Sequence, residues 1–231
     1  MSWTCIYNPP VVEVNGRNVD YAWGGFNDGV YELLPEIHCH VCATPESTFD
    51  CTNHYDLYGF KRIYALGKYI AFPWNHFLSS HIRFLKREYR FKEPLGLALS
   101  LVVQNRYTEL LKSDVLIPVP MHDSKLEERG FNQAEQLAQE FNKYVKKSFF
   151  DCLTQIKPLE LRPLSREERF KAVKGAFDFQ KEYFKYIENK KVILIDDVVT
   201  TGATASECSK VLRDNGASQI DVLILGRTCD E

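Results

Sequence analysis

Val192-Ile193-Leu194-Ile195-Asp196-Asp197-Val198-Val199-Thr200-Thr201-Gly202-Ala203-Thr204 reads as three joined pieces. Val192 to Ile195 form a continuous, mostly β-branched apolar run, the mark of a strand buried on both faces of a parallel sheet. Two carboxylates close that run, and a hydroxyl-rich turn around Gly202 follows. Residues 203–212 then take helical spacing, with Cys208, Val211 and Leu212 apolar and Gly216 as the stop just past the end. The free N–H groups of the turn and first helical residues, with the positive end of the helix dipole, suit a phosphate. Thr200, Thr201 and Thr204 add hydroxyl donors, and Gly202 lets the backbone approach closely. Ionised Asp196 and Asp197 only accept hydrogen bonds, so they suit the vicinal hydroxyls of a ribose. Together the pieces make a site for a phosphorylated sugar. The plainer reading is an ordinary crossover with a polar loop.

The same residues resemble the phosphoribosyl-diphosphate (PRPP) signature of the type I phosphoribosyltransferases. The resemblance implies that Asp196 and Asp197 hold the 2′- and 3′-hydroxyls. It also implies that Thr200, Thr201, Gly202, Ala203 and Thr204 cradle the 5′-phosphate. Phosphatases and kinases also carry paired Asp at a strand end, usually as Asp-x-Asp or near the N-terminus. Here the pair lies late in the chain and runs directly into a Thr/Gly loop.

Upstream, Ile117-Pro118-Val119-Pro120-Met121-His122 is followed by Lys125 and by Arg129-Gly130-Phe131-Asn132-Gln133-Ala134. A strand that ends in Pro-Val-Pro stops pairing there, because proline supplies no ladder N–H. The loop expected after it carries two cations. In a doubly wound sheet the loops at the carboxyl ends of the strands line the ligand crevice, so this loop and the Asp-Asp-Thr-Thr loop should share one site. Lys125 and Arg129 would neutralise an anion such as diphosphate, Arg bidentately. For either cation alone the plainer reading is a solvated charged loop.

These residues, with Ser165-Arg166-Glu167-Glu168-Arg169 leading to Gly175-Ala176-Phe177, are similar to the ComF/GntX branch of the phosphoribosyltransferases over about residues 114–226. The resemblance implies a transferase that uses PRPP and Mg²⁺, releases diphosphate and takes an unidentified small-molecule, nitrogen acceptor, with Lys125 and Arg129 as its catalytic cations. The alternative is a non-catalytic PRPP sensor or a DNA-handling accessory of the competence kind, since the ComF name comes from DNA uptake.

The rest of the chain bounds these readings. A chain of 231 residues buries roughly 70–75% of its unfolded surface, enough for a core and a small appended module. Apolar residues at 45% and charged residues at 26% are ordinary for a globular protein. A net charge of −2 gives no general attraction to nucleic acid or to an anionic membrane. No apolar run approaches bilayer length, and Met1-Ser2-Trp3-Thr4-Cys5 lacks a signal-peptide pattern, so a cytoplasmic protein is expected. Strands at 63–70, Val115–Pro118, 192–195 and 220–225 are interleaved with helices at 77–90, 95–111 and 133–144, Pro94 breaking the first two apart. In the last helix Ala134, Leu137, Ala138 and Phe141 should face inward. That alternation predicts an α/β fold with a doubly wound, mostly parallel sheet. Residues 1–75 differ in texture: they hold all three tryptophans, the turn dipeptides and a hairpin pattern around Asn15-Gly16. They are expected to form a small β/zinc-binding module, with the transferase domain at 76–231.

Seven cysteines make an odd number, and three crowd between positions 39 and 51, which suits a metal site in a reducing compartment. Cys39-x2-Cys42 and Cys51-x2-His54 give two chelating pairs, eight residues apart, that match a closed structural Zn²⁺ site. The ComF resemblance adds an N-terminal cysteine-rich zinc module to that expectation. Cys5, His38 and His40 stay open as substitute ligands, and a set of buried free cysteines is the plainer reading. Cys152, Cys208 and Cys229 are assigned to the core. Arg83, Lys86, Arg87, Arg90 and Lys92 form a cationic strip. Glu88 and Glu93 interrupt it, which favours a solvated helix face over a nucleic-acid surface. The oligomeric state stays open, a homodimer being one option.

Overall fold

The computed structural model describes residues 12–14, 17–19, 59–69, 77–87 and 91–228. Cys5, His38, Cys39, His40, Cys42, Cys51, His54, Arg90 and Cys229 lie outside them. The expected hairpin is present in its two strands, β1 (Val12–Val14) and β2 (Arg17–Val19), antiparallel from Val12↔Val19 to Val14↔Arg17.

Among the described residues the central sheet is wholly parallel and has five strands. They are β3 (Arg62–Tyr69), β4 (Val115–Pro118), β5 (Ser148–Phe149), β8 (Lys191–Val199) and β9 (Gln219–Thr228), in the spatial order β3-β9-β8-β4-β5. A small antiparallel pair, β6 (Leu153–Gln155) and β7 (Phe177–Phe179), lies between β5 and β8 in sequence. The helices are α1 (Phe77–Leu85), α2 (Lys92–Asn105), α3 (Asp123–Arg129), α4 (Gln133–Val145), α5 (Arg166–Val173), α6 (Phe184–Ile187) and α7 (Ala203–Asp214). This is the α/β doubly wound architecture expected from the strand–helix alternation. Among the described residues, no helix is long and apolar enough to cross a membrane.

The apolar run of β8 shows why the sheet is covered on both sides. Successive side chains of a strand point to opposite faces. Val192 and Leu194 join one core with Ala205, Cys208 and Leu212 of α7. Ile193 and Ile195 join the other, with Ile82 and Leu85 of α1, Leu99 of α2, and Leu137 and Phe141 of α4. Both expected core cysteines among the described residues are buried there, and burial pushes Cys152 up to about 12 and Cys208 well above the usual thiol value.

β3 pairs with β9 along its whole length, from Arg62↔Asp221 to Tyr69↔Thr228. The strand counted with the N-terminal module in the sequence therefore belongs to the central sheet. Tyr107, just past α2, fastens it: its hydroxyl donates to Ala65 O at 3.1 Å, and its ring meets Tyr64 edge-on at 5.0 Å.

Pro94 does not separate two helices. It sits in the first turn of α2, where an amide N–H has no partner within the helix and its loss costs little. Gly96 brings α2 against α4 so closely that a Cβ there would lie 2.5 Å from Glu140 Cβ. Glu140 is buried and accepts Lys92 Nζ at 3.4 Å and Lys143 Nζ at 2.5 Å.

Candidate active site

The β4–β8 ladder runs from Val115↔Val192 to Pro118↔Ile195, and Val119 N–H donates once more to Ile195 O at 2.9 Å. There it stops, as the Pro-Val-Pro string requires. β8 continues against β9 through Val199↔Arg227. Asp196 and Asp197 thus emerge on the β4 side just past the last paired residue. From this strand pair the chain departs in opposite directions: α4 carries β4 outward to β5, while α7 carries β8 to β9 on the other face. That is the topological switch point of the sheet, where α/β folds place their ligands.

The two carboxylates have different surroundings. Asp196 is partly exposed, on the side of α7, where its charge helps to raise the Cys208 thiol. Asp197 is 5% exposed and lies on the α1 side. Its Oδ2 is 3.0 Å from Lys86 Nζ, and its Oδ1 accepts the Val198 N–H at 2.8 Å. Asp196 Oδ1 accepts the Asp197 N–H at 2.8 Å. Burial and the neighbouring Asp197 charge hold the Asp196 carboxyl well above its usual range. Burial, the largest single influence, opposes ionisation of Asp197 as well, but the Lys86 ammonium together with the hydrogen bonds from Lys86, Asp196 and the Val198 N–H outweighs it, and the net shift is downward.

Past Thr200 and Thr201 the chain turns through Gly202, at φ 83° and ψ 2°, into the first turn of α7. Thr201 Oγ1 accepts the Ala203 N–H at 3.4 Å, and Arg227 Nη1 donates to Val199 O at 3.0 Å from beneath. The expected phosphate cradle, Thr200 to Thr204, is thereby a helix N-terminus with a left-handed entry.

The expected cationic loop is a helix. His122 caps α3 by accepting the Ser124 N–H at 3.2 Å, and Gly130 at φ 81° ends it. Lys125 and Arg129 stand four residues apart, hence on one face. Lys125 Nζ donates to Leu159 O at 2.8 Å, and Arg129 Nη1 to Gln133 Oε1 at 2.8 Å. The two cations therefore start from fixed protein partners.

Asn132, Arg169 and Lys86 gain roles that the sequence did not assign. Asn132 caps α4 through Ala134 N–H (3.0 Å) and donates to Val119 O (3.0 Å), tying the end of β4 to the start of α4. Arg169 donates from Nε to Leu164 O at 2.8 Å and from Nη1 to Thr200 Oγ1 at 2.7 Å, which brings a guanidinium to the phosphate cradle. Ser165 and Glu168, in the same block, form a capping box at the start of α5. The third is Lys86. In the sequence it is one cation of a strip, and nothing there separates it from Arg83 or Arg87. Lys86 and Lys92 both turn inward, to Asp197 and Glu140, so the strip is not a uniform solvated face.

Fold and site together define a doubly wound α/β protein whose switch-point crevice is lined by a carboxylate pair, a hydroxyl-rich helix N-terminus and flanking cations. No protein-family model matches the chain. Competence protein F of Haemophilus influenzae is 30% identical over 82% of this chain and 78% of its own length. Competence protein ComFC of Streptococcus pneumoniae is 31% identical over 91% of this chain and 90% of its own. The DNA utilization protein YhgH of Escherichia coli is 30% identical over 57% of each chain. The allosteric regulatory enzyme of purine biosynthesis, a solved structure, has a TM-score of 0.37 and 18% identity over 58% of this chain and 25% of its own. The chain belongs to the ComF family of competence proteins.

Proposed function

We propose that the protein transfers a phosphoribosyl group from PRPP to a nitrogen acceptor and releases diphosphate. The observation that carries this reading is the emergence of Asp196 and Asp197 at the switch point, followed at once by the Gly202 turn into α7. Of the acidic pair, the more exposed Asp196 would accept from the ribose hydroxyls. The N–H groups of 200–204, with Thr200, Thr201, Thr204 and Arg169, would hold the 5′-phosphate. The C1–O bond to diphosphate breaks with its electron pair leaving on diphosphate, a C1–N bond forms, and the acceptor nitrogen gives up its proton to the departing diphosphate or to solvent. The developing charge resembles that of glycosyl transfer, so positioning and electrostatics carry most of the work.

Carboxylate oxygens are the hard donors that Mg²⁺ takes, and a cation relieves the repulsion between two neighbouring carboxylates. Asp196 therefore fits as a magnesium contact, and bound magnesium would neutralise charge on the diphosphate. Lys125 and Arg129 would exchange Leu159 O and Gln133 for the leaving group. Interactions that strengthen in the transition state act on rate. Lys125→Ala and Arg129→Ala should then lower turnover about tenfold or more, at 1.4 kcal/mol per tenfold, and change PRPP affinity less.

The test is diphosphate release with PRPP, Mg²⁺ and a panel of purines, pyrimidines, ammonia and simple amines. Release with one acceptor supports transfer; calorimetric PRPP binding with no release across the panel overturns it. The names of the relatives favour one second reading, a PRPP-binding accessory in DNA handling, which predicts that second result.

The pairs Cys39/Cys42 and Cys51/His54 extend the proposal to one structural Zn²⁺ per chain. Elemental analysis of protein purified without chelator should find it, and Cys39→Ser with Cys42→Ser should lose it. Apparent binding energies of such sites reach about 10–16 kcal/mol, so loss should also unfold the N-terminal region.

A further inference from the structure

Resting on the PRPP reading, we propose that Lys86 is a positioning residue that divides the acidic pair, anchoring Asp197 to the α1 layer and leaving Asp196 as the carboxylate that meets the ribose hydroxyls. Both oxygens of Asp197 are engaged by the protein, Oδ2 by Lys86 Nζ at 3.0 Å and Oδ1 by the Val198 N–H at 2.8 Å. The Asp197 side chain is only 7% exposed, whereas Asp196 is partly exposed. Lys86 follows the last residue of α1, at the helix end where a cation is favoured, and its ammonium reaches Asp197 from there. A ligand hydroxyl reaching for Asp197 would have to displace that ammonium. One reaching for Asp196 would not.

Separating the roles takes calorimetric PRPP titrations with Mg²⁺ and thermal melts on Asp196→Asn, Asp197→Asn, Lys86→Met and the double variant Lys86→Met/Asp197→Asn. Charge-assisted hydrogen bonds set the expected scale: Asp196→Asn should weaken PRPP by roughly ten- to a hundredfold with its melting temperature retained. Asp197→Asn should lower the melting temperature and keep affinity within about threefold. Lys86→Met should weaken PRPP, because an unanchored Asp197 crowds the crevice and competes with Asp196. The double variant, which removes that charge, should regain affinity to within about threefold of the wild type. A merely structural Lys86 would lower only the melting temperature, and unchanged affinity in Lys86→Met overturns the proposal. So does an Asp197→Asn loss as large as that of Asp196→Asn, or a double variant that stays weak, which would make Lys86 a direct ligand contact. Should Lys86→Met alone not fold, Asp197→Asn and the double variant carry the comparison. A wild-type protein that gives no PRPP heat refutes the PRPP reading itself, a result separate from any ordering of the variants.

Discussion

Replacing Gly96 by valine is expected to lower the melting temperature by roughly 6–12 °C, the shift that about 3 kcal/mol produces in a chain of this size. A Cβ at this position already meets Glu140 Cβ at 2.5 Å and the Glu140 carbonyl carbon and Phe141 N at 3.1 Å. Backbone atoms cannot swing aside as a side-chain tip does. Helices α2 and α4 would have to separate, opening the layer that holds Leu99, Leu137 and Phe141. Glu140 would also be pulled from Lys92 and Lys143, leaving a buried carboxylate short of partners. Valine's better helix propensity returns only a few tenths of a kcal/mol. Calorimetric melting of the two proteins checks this, and a loss under about 2 °C would mean that the helices part without cost.

Gly202→Val is expected to damage the site more than the fold. The left-handed entry to α7 costs an ordinary L-residue about 1–2 kcal/mol, and a β-branched one more, so the local chain should move out of φ 83°. Such a move redirects the N–H groups of 203 and 204, the donors assigned to the 5′-phosphate. PRPP affinity should fall about tenfold or more, while the melting temperature falls by about 2–8 °C. Gly216, at φ 97° past the far end of α7, supplies the control: Gly216→Ala meets the same kind of strain and should leave affinity unchanged. Equal affinity losses in both would show a general loosening of α7 rather than a phosphate cradle.

Strand β8, helix α4 and the acidic pair were legible because one pattern dominates each: a four-residue apolar run, inward positions at 134, 137, 138 and 141, and two carboxylates closing the apolar run, although β8 itself continues past them to Val199. The elements missed have weak signals. β5 is two residues long, and α3 buries no side chain, so neither leaves an apolar pattern to read. Proline misled at α2, since its cost depends on the turn it occupies and that position is invisible until the helix start is known. Lys86 illustrates the deeper limit. Its partner Asp197 lies more than a hundred residues away, and only the fold joins them.

The pairing of β3 with β9 bears on how the molecule is made. Arg62 finds its ladder partner, Asp221, about 160 residues later. Contacts so distant in sequence form late, because the intervening chain must first be closed into a loop. On a ribosome adding about 5–20 residues per second, an edge strand would then wait several seconds or more for its neighbour, its N–H and C=O groups open to other chains. The central strand and the ligand crevice share this timetable, since β8 is also synthesised late. Whatever holds the early segment during that interval helps to determine how much of the protein reaches its native sheet.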